Sequence, residues 1–248
     1  MSEAVQLSLP EPGIVVVKIE DRDARNTFSR AVMEGLTRAF ETIRSEAQAR
    51  VVVIHGYENY FCCGGTRDEL MKLHRGEVEF TDFPFYRLLL DCELPTISAM
   101  QGHAIGGGLA FGLYADMLVL AEESLYSANF MRYGFTPGMG STYIVPLKFG
   151  PCLGAEMLFS AAAYHGGQLK ERGLTARVVK KKDVIPTALA LARELADRPL
   201  LSLKLLKQQL AQPIRDSLPA WIEREVAMHR LSFRQPEVKD RIEKLFGN

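Results

Sequence analysis

The chain has 248 residues, 47% hydrophobic and 24% charged, which is enough for one large domain with a substantial core and too apolar for disorder. Lys plus Arg equals Asp plus Glu at 30 each, which excludes the strong positive field of a dedicated nucleic-acid binder. No stretch approaches the roughly 20 apolar residues needed to cross a bilayer, and MSEAVQLSLPEPG has no basic region leading into an apolar one, so a soluble cytoplasmic protein without membrane contact is expected.

Ile14 to Glu20, IVVVKIE, is β-branched and predicts a strand. DRDARN turns the chain, and Ser29 can cap a helix whose apolar residues Val32, Leu36, Phe40 and Ile43 recur at helical spacing. VVVIHG is apolar enough for a strand covered on both faces. The loop YFCCGGTRDEL (Tyr60 to Leu70) enters a polar helix around Asp68 to His74, and a further helix is predicted from Tyr86 to Cys92. A short strand, TISAM, leads into GHAIGGGLAFGLYADM (Gly102 to Met117) with its helix, and MLVLA is the next strand. Such alternation predicts an α/β domain with parallel strands. After about Gly150 the chain turns helical: AEMLFSAAA, TALALARELADR stopped by Pro199, LLSLKLLKQQL and LPAWIEREVAMHRLSF. One compact domain over 1–248 is expected, its helical tail from about 196 packing on the body or joining subunits.

The glycine triplet at 106–108 admits three readings. A phosphate loop is disfavoured, because no Walker lysine follows and no GxGxxG has its acidic residue about 20 positions on. Close packing of strand against helix is the plain structural reading. The third places free backbone N–H groups at a helix N-terminus, where developing negative charge is stabilised. The glycines of Tyr60–Leu70 could supply a second donor to such an oxyanion site. Four cysteines, Cys62, Cys63, Cys92 and Cys152, have neither CxxC nor zinc spacing, and the vicinal pair reads as small buried thiols.

NYFCCGGTRDEL together with PTISAMQGHAIGGGLAFGLYADMLVLAEESLYSANFMRYGFTPGMGS resembles the enoyl-CoA hydratase/isomerase (crotonase) superfamily over nearly the whole chain. TDFPFYRLLLDCELP, MQGHAIGGG and SANFMRYGFTPGMGST further resemble its decarboxylating branch, which serves polyketide β-branching on 3-methylglutaconyl thioesters held by acyl carrier protein. The resemblance implies a spiral of ββα turns and homotrimers, or hexamers made of two trimers, joined partly through the C-terminal helices. It also implies an oxyanion hole from the N–H groups of Gly65 and Gly107. No metal or other cofactor is expected, because the thioester is itself the electron sink.

A hydratase of this superfamily uses two glutamates, and the matching positions here hold Ala110 and Phe130. Neither can transfer a proton, so no hydration is expected. The decarboxylating branch implies a histidine, matched by His229, and a lysine directly before Phe-Thr-Asp, where this chain has Glu79. A carboxylate there would repel the substrate carboxylate and impair activity. Another cation substituting, a different substrate and an altered site all remain open, with the altered site favoured and Lys72 and Arg75 as the nearest cations. Tyr86, Phe130 and Tyr133 are candidates for the acyl pocket, and Arg67, Lys72 and Arg75 for a basic rim that docks the carrier protein. His55, His103 and His165 are expected to be structural or exposed, and Asp116 to act in a turn or cap. Two rivals are kept: an enoyl thioester isomerase, and a non-catalytic trimer binding a partner or RNA.

Overall fold

A computed structural model describes residues 4–246. An antiparallel hairpin opens the chain, β1 (Val5–Glu11) with β2 (Ile14–Ile19), followed by α1 (Arg30–Ser45). The Ser29 hydroxyl accepts the Val32 N–H at 3.2 Å, and Val32, Leu36, Phe40 and Ile43 are buried along α1. The expected cap and apolar stripe are therefore both present.

A repeating unit of two strands and a helix then follows. The first turn is β3 (Val51–His55), β4 (Tyr60–Cys62) and α2 (Arg67–Arg75), with the short α3 (Leu88–Asp91) after it. The second is β5 (Thr96–Met100), β6 (His103–Ile105) and α4 (Gly107–Leu113). The third is β7 (Met117–Ala121), β8 (Leu125–Ser127), α5 (Ser141–Phe149) and α6 (Pro151–Ser160). β9 (Ala163–His165), α7 (Gly166–Glu171), β10 (Arg177–Val179) and α8 (Lys181–Ala196) close the spiral, and α9 (Leu200–Ser232) and α10 (Pro236–Leu245) lie beyond it. In every turn the first strand joins one sheet, ordered β1-β2-β3-β5-β7-β10, and the second joins another, ordered β4-β6-β8-β9. From β2 to β10 the larger sheet is parallel. Tyr126, fully buried on β8, ties the sheets together: its hydroxyl donates to Met100 O at 2.7 Å and accepts the Ala121 N–H at 2.8 Å.

The unbroken apolar runs VVVI and MLVLA are explained by cover on both faces. Val51, Val53, Ile97 and Val119 pack toward Val184, Ala188 and Ala192 of α8, while Val52, Ile54, Leu118 and Leu120 face the main core.

Three features depart from the sequence reading. The strands β4, β6, β8, β9 and β10 have three residues each, too few to carry a period of two. AEMLFSAAA does not stay helical: α6 ends at Ser160, Ala161 takes φ +53°, and Ala163 begins β9. The two expected C-terminal helices are one of 33 residues, continuous through Pro213 and Pro219. Its buried positions, Leu203, Lys207, Ala211, Leu218, Glu225 and His229, recur every four or seven residues, so packing along one face holds the helix across two prolines that local preference would make breaks. Asp116 does more than close a turn. It accepts the Thr96 N–H at 2.8 Å and pairs with the buried Lys207 at 2.7 Å, fastening α9 to the start of β5.

Candidate active site

The loops after β4 and before α4 meet backbone to backbone. A Cβ placed on Gly64 would stand 2.8 Å from Ile105 O and 3.3 Å from Gly107 N, and one on Gly108 would stand 2.1 Å from Cys62 O. Gly64 and Gly106 also have φ +76° and +56°, backbone that side chains other than glycine's rarely adopt. The packing reading of these glycines therefore holds at the contact between the two loops. Gly64, Gly106 and Gly108 let the loops close, and Gly65 and Gly107 line the cavity they enclose. Gly107 is the first residue of α4, where no intrahelical acceptor exists. Among the described residues neither its N–H nor that of Gly65 has a hydrogen-bond partner.

Asn26 sets the first loop, a role the sequence reading did not assign. Its buried side-chain amide donates to Ile19 O (2.9 Å) and Phe61 O (3.0 Å), and its backbone carbonyl accepts the Cys63 N–H at 3.1 Å. Phe28 N–H donates to Gly64 O at 2.7 Å. The signal present in the sequence is an Asn in the polar turn DRDARN, a residue type that tolerates the left-handed φ of +53° it adopts. Cys62 is fully buried and Cys63 partly so; burial pushes the Cys63 thiol up to about 12 and the Cys62 thiol higher.

The cavity, about 120 Å³, has room for a short acyl chain and is walled mostly by apolar side chains, among them Phe28, Met33, Leu73, Phe80, Phe135 and Met139. Phe130 and Tyr133 are on its lining, as is His229. Tyr86 is not: it is buried in the core beside Tyr114, ring centroids 6.2 Å apart, because its short helical turn rotates it away from the cavity. Ala110 is also fully buried in the core.

His229 closes the wall opposite the glycine loops. Its ring lies 5.0 Å from Phe80, 4.6 Å from Phe233 and 5.9 Å from Phe135, centroid to centroid. Nε2 is buried without a hydrogen-bond partner among the described residues. Burial lowers the imidazole to about 4, partly opposed by a backbone hydrogen bond at Thr136. The protein alone therefore holds His229 neutral at physiological pH, below the ordinary imidazole value. Gly138 leaves the space beside it: a Cβ there would stand 3.0 Å from His229 Nε2 and 3.0 Å from Phe80 Cδ1. Glu225, one turn earlier on α9, is fully buried and accepts the N–H groups of Gly140 (2.7 Å) and Thr142 (2.8 Å) at the start of α5. Burial raises its carboxyl to about 7.

Glu79 lines the cavity. Its partner is Arg230, Nε to Oε1 at 2.6 Å, and neither Lys72 nor Arg75. Lys72 is held by Glu69 at 2.7 Å and Arg75 by Glu77, so the two expected cations are engaged elsewhere on α2 and its following turn. Lys72, Arg75 and Arg67 line a separate surface depression with Arg30. The other histidines stand outside the cavity. His103 Nδ1 accepts the Leu125 N–H at 3.0 Å, His55 Nδ1 donates to Gly56 O at 2.6 Å, and the exposed His165 caps α7.

Parallel ββα turns in two sheets, with two loop N–H groups converging on an apolar cavity, define a class of protein, and residues 10–245 match the enoyl-CoA hydratase/isomerase family model. The chain belongs to that family and has the crotonase fold. It is 48% identical over 244 residues to the bacillaene synthase decarboxylase PksI of Bacillus subtilis (strain 168), covering 98% of each chain. A solved structure from a dehydratase/decarboxylase enzyme couple involved in polyketide β-branching superposes with TM-score 0.97 at 47% identity, covering 99% of this chain and 100% of that one. The ECH2 decarboxylase domain of CurF from Lyngbya majuscula superposes with TM-score 0.95 at 41% identity and the same coverage. No helix among the described residues is long and apolar enough to cross a membrane.

Proposed function

We propose that the chain decarboxylates a 3-methylglutaconyl-type thioester on acyl carrier protein to a 3-methylcrotonyl-type thioester. One observation carries this reading: the unpartnered Nε2 of buried His229 shares an apolar cavity with the unpartnered N–H groups of Gly65 and Gly107. Its similarity to decarboxylases supports the same chemistry.

With the thioester carbonyl on Gly65 and Gly107, the bond to the carboxylate carbon breaks and its electron pair enters a dienolate as CO2 leaves. The charge reaches the thioester oxygen, where preorganised donors of this kind contribute about 3–4 kcal/mol each. A carboxylate brought beside the imidazole favours its protonated form, so binding draws a proton onto His229. That proton passes to carbon after CO2 departs, and the imidazole returns to neutral. The balance is one carboxylate and one proton in, one CO2 and one C–H bond out. The thioester is the electron sink, so the step needs no metal or further cofactor. Apolar walls keep water from the dienolate, and Ala110 and Phe130 offer nothing that would activate water for addition.

Arg67, Lys72 and Arg75 on α2 supply a basic edge for an acidic carrier protein. Leu201, Leu205, Leu206 and Leu210 are exposed along the first half of α9, apolar surface that suits the homotrimer or hexamer expected from the family. Mass spectrometry of acyl carrier protein loaded with 3-methylglutaconate, before and after incubation, tests the reading. Loss of CO2 is expected; gain of water would make the protein a hydratase, and an unchanged mass would overturn the reading.

A further inference from the structure

Any substrate with a free carboxylate meets a difficulty in this cavity. Among the described residues no lysine or arginine lines it, whereas two carboxylates, Glu69 and Glu79, do. Each is neutralised from behind, Glu69 by Lys72 and Glu79 by Arg230. The two pairs differ in position. Lys72 and Glu69 both belong to α2, whereas Arg230 follows His229 on α9 and reaches across to Glu79. A second, smaller cavity holds Arg230 and Arg234 and shares Leu73, Val78, Glu79, Phe80, His229 and Phe233 with the main one. Glu79 and His229 are the polar members of that shared wall, and of the two arginines behind it Arg230 is the one that pairs with Glu79.

We propose that Arg230 is the cation that receives the substrate carboxylate, and that Glu79 is its resting partner, displaced when the carboxylate arrives. The inference rests on the decarboxylase reading. The pair can exchange partners because it is not locked: the side chains of Arg230 and Glu79 are 60% and 40% exposed. Arg230 reaches Glu79 through Nε, leaving the terminal nitrogens to form the two-pronged contact that guanidinium makes with carboxylate. The turn at Glu79 is held by its backbone N–H, which donates to Asp82 Oδ2 at 2.8 Å, as well as by the Glu79 side chain in the capping box, so the backbone bond remains when the side chain releases Arg230. The carboxylate at position 79 then does not poison the site. It holds the arginine next to His229 until a second carboxylate takes its place.

Steady-state decarboxylation of the methylglutaconyl thioester by four variants tests this, alongside affinity for the methylcrotonyl thioester, which lacks the carboxylate. Arg230→Gln is expected to raise KM for the acidic thioester by about 10- to 100-fold, the range for a lost hydrogen bond to a charged group, with affinity for the neutral thioester unchanged. Arg230→Lys should recover part of that loss, and Glu79→Gln should lower KM. Glu79→Lys added to Arg230→Gln should restore turnover, because it puts the cation on the other side of the same pair. Unchanged KM in Arg230→Gln, or equal weakening of both thioesters, overturns the role of Arg230. If the unmutated protein releases no CO2, the decarboxylase reading fails first, and the two failures are thereby told apart.

Discussion

The two ends of the cavity are built by opposite means. At the glycine end the polar groups are the unpartnered backbone N–H groups of Gly65 and Gly107, carried by loops so close that a Cβ on Gly108 would collide with Cys62 O. At the α9 end they are side chains, His229 and the Glu79 that pairs with Arg230, with Glu225 buried a turn behind His229 and outside the lining; burial lowers the His229 imidazole and raises the Glu225 carboxyl. The first end has no group that titrates near neutrality and cannot be lost by trimming a side chain. The second carries the pH response and the choice of substrate, and there the chain departs from the pattern its resemblance implies.

The largest expected effect breaks the α9 end. His229→Gln keeps a polar group of similar reach and removes the proton carrier, so kcat for CO2 release should fall about 10²- to 10⁴-fold. Binding of the neutral product thioester should hold. The glycine end is broken next by Gly65→Pro, which deletes one N–H and should lower kcat about 10²- to 10³-fold. Gly65→Ala is the control: its Cβ meets only Leu70 side-chain atoms, the nearest at 3.3 Å, and the N–H remains. If both Gly65 variants lose activity alike, the loss comes from distortion and the donor role is wrong.

The same contrast explains what could be read before the structure. The glycine end is coded locally, in two short strings where strand, glycines and helix follow one another, and only the division of labour within each string needed coordinates. At the α9 end, Glu79 and Arg230 are 151 positions apart and Glu225 caps a helix 83 to 85 positions before it. No local pattern announces such pairs. Lys72 and Arg75 were nominated because they are near Glu79 in sequence, yet both are engaged by carboxylates nearer still. The long α9 was hidden for a related reason, since its prolines speak locally for a break and its buried face acts only through tertiary packing. Tyr86 lies in a four-residue 3₁₀ turn, Pro84–Arg87, too short to establish a period from which the direction of its side chain can be read.

A third prediction sharpens the contrast through stability. The native state lowers His229 from about 6.5 to about 4, so between those values the unfolded chain binds the proton and the folded one does not. The stability due to neutral His229 is full above about pH 6.5 and is lost as the pH falls toward 4, amounting to about 3 kcal/mol for the whole shift. His229→Leu should remove this component, visible as a shallower loss in urea midpoints between pH 6.5 and 4. An unchanged slope would mean that the imidazole is not held neutral.

Glu225 acts with the opposite sign through a shift of the same size. Its folded value is raised to about 7 from 4.5, so the folded state binds the extra proton between those values, and its contribution falls as the pH rises from 4.5 to 7. In Glu225→Gln one acceptor oxygen becomes an amide while the N–H groups of Gly140 and Thr142 still require partners, a loss of about 1 kcal/mol at pH 7. Relative to this variant, the unmutated protein should gain stability on acidification from pH 7 to 4.5. Over pH 4.5 to 6.5 the two groups therefore oppose each other, His229 losing stability as Glu225 gains it, and removing either one exposes the slope of the other. Equal slopes in His229→Leu and Glu225→Gln would contradict this opposition. Opposite slopes would place two opposed contributions to the pH response on one face of α9, a turn apart.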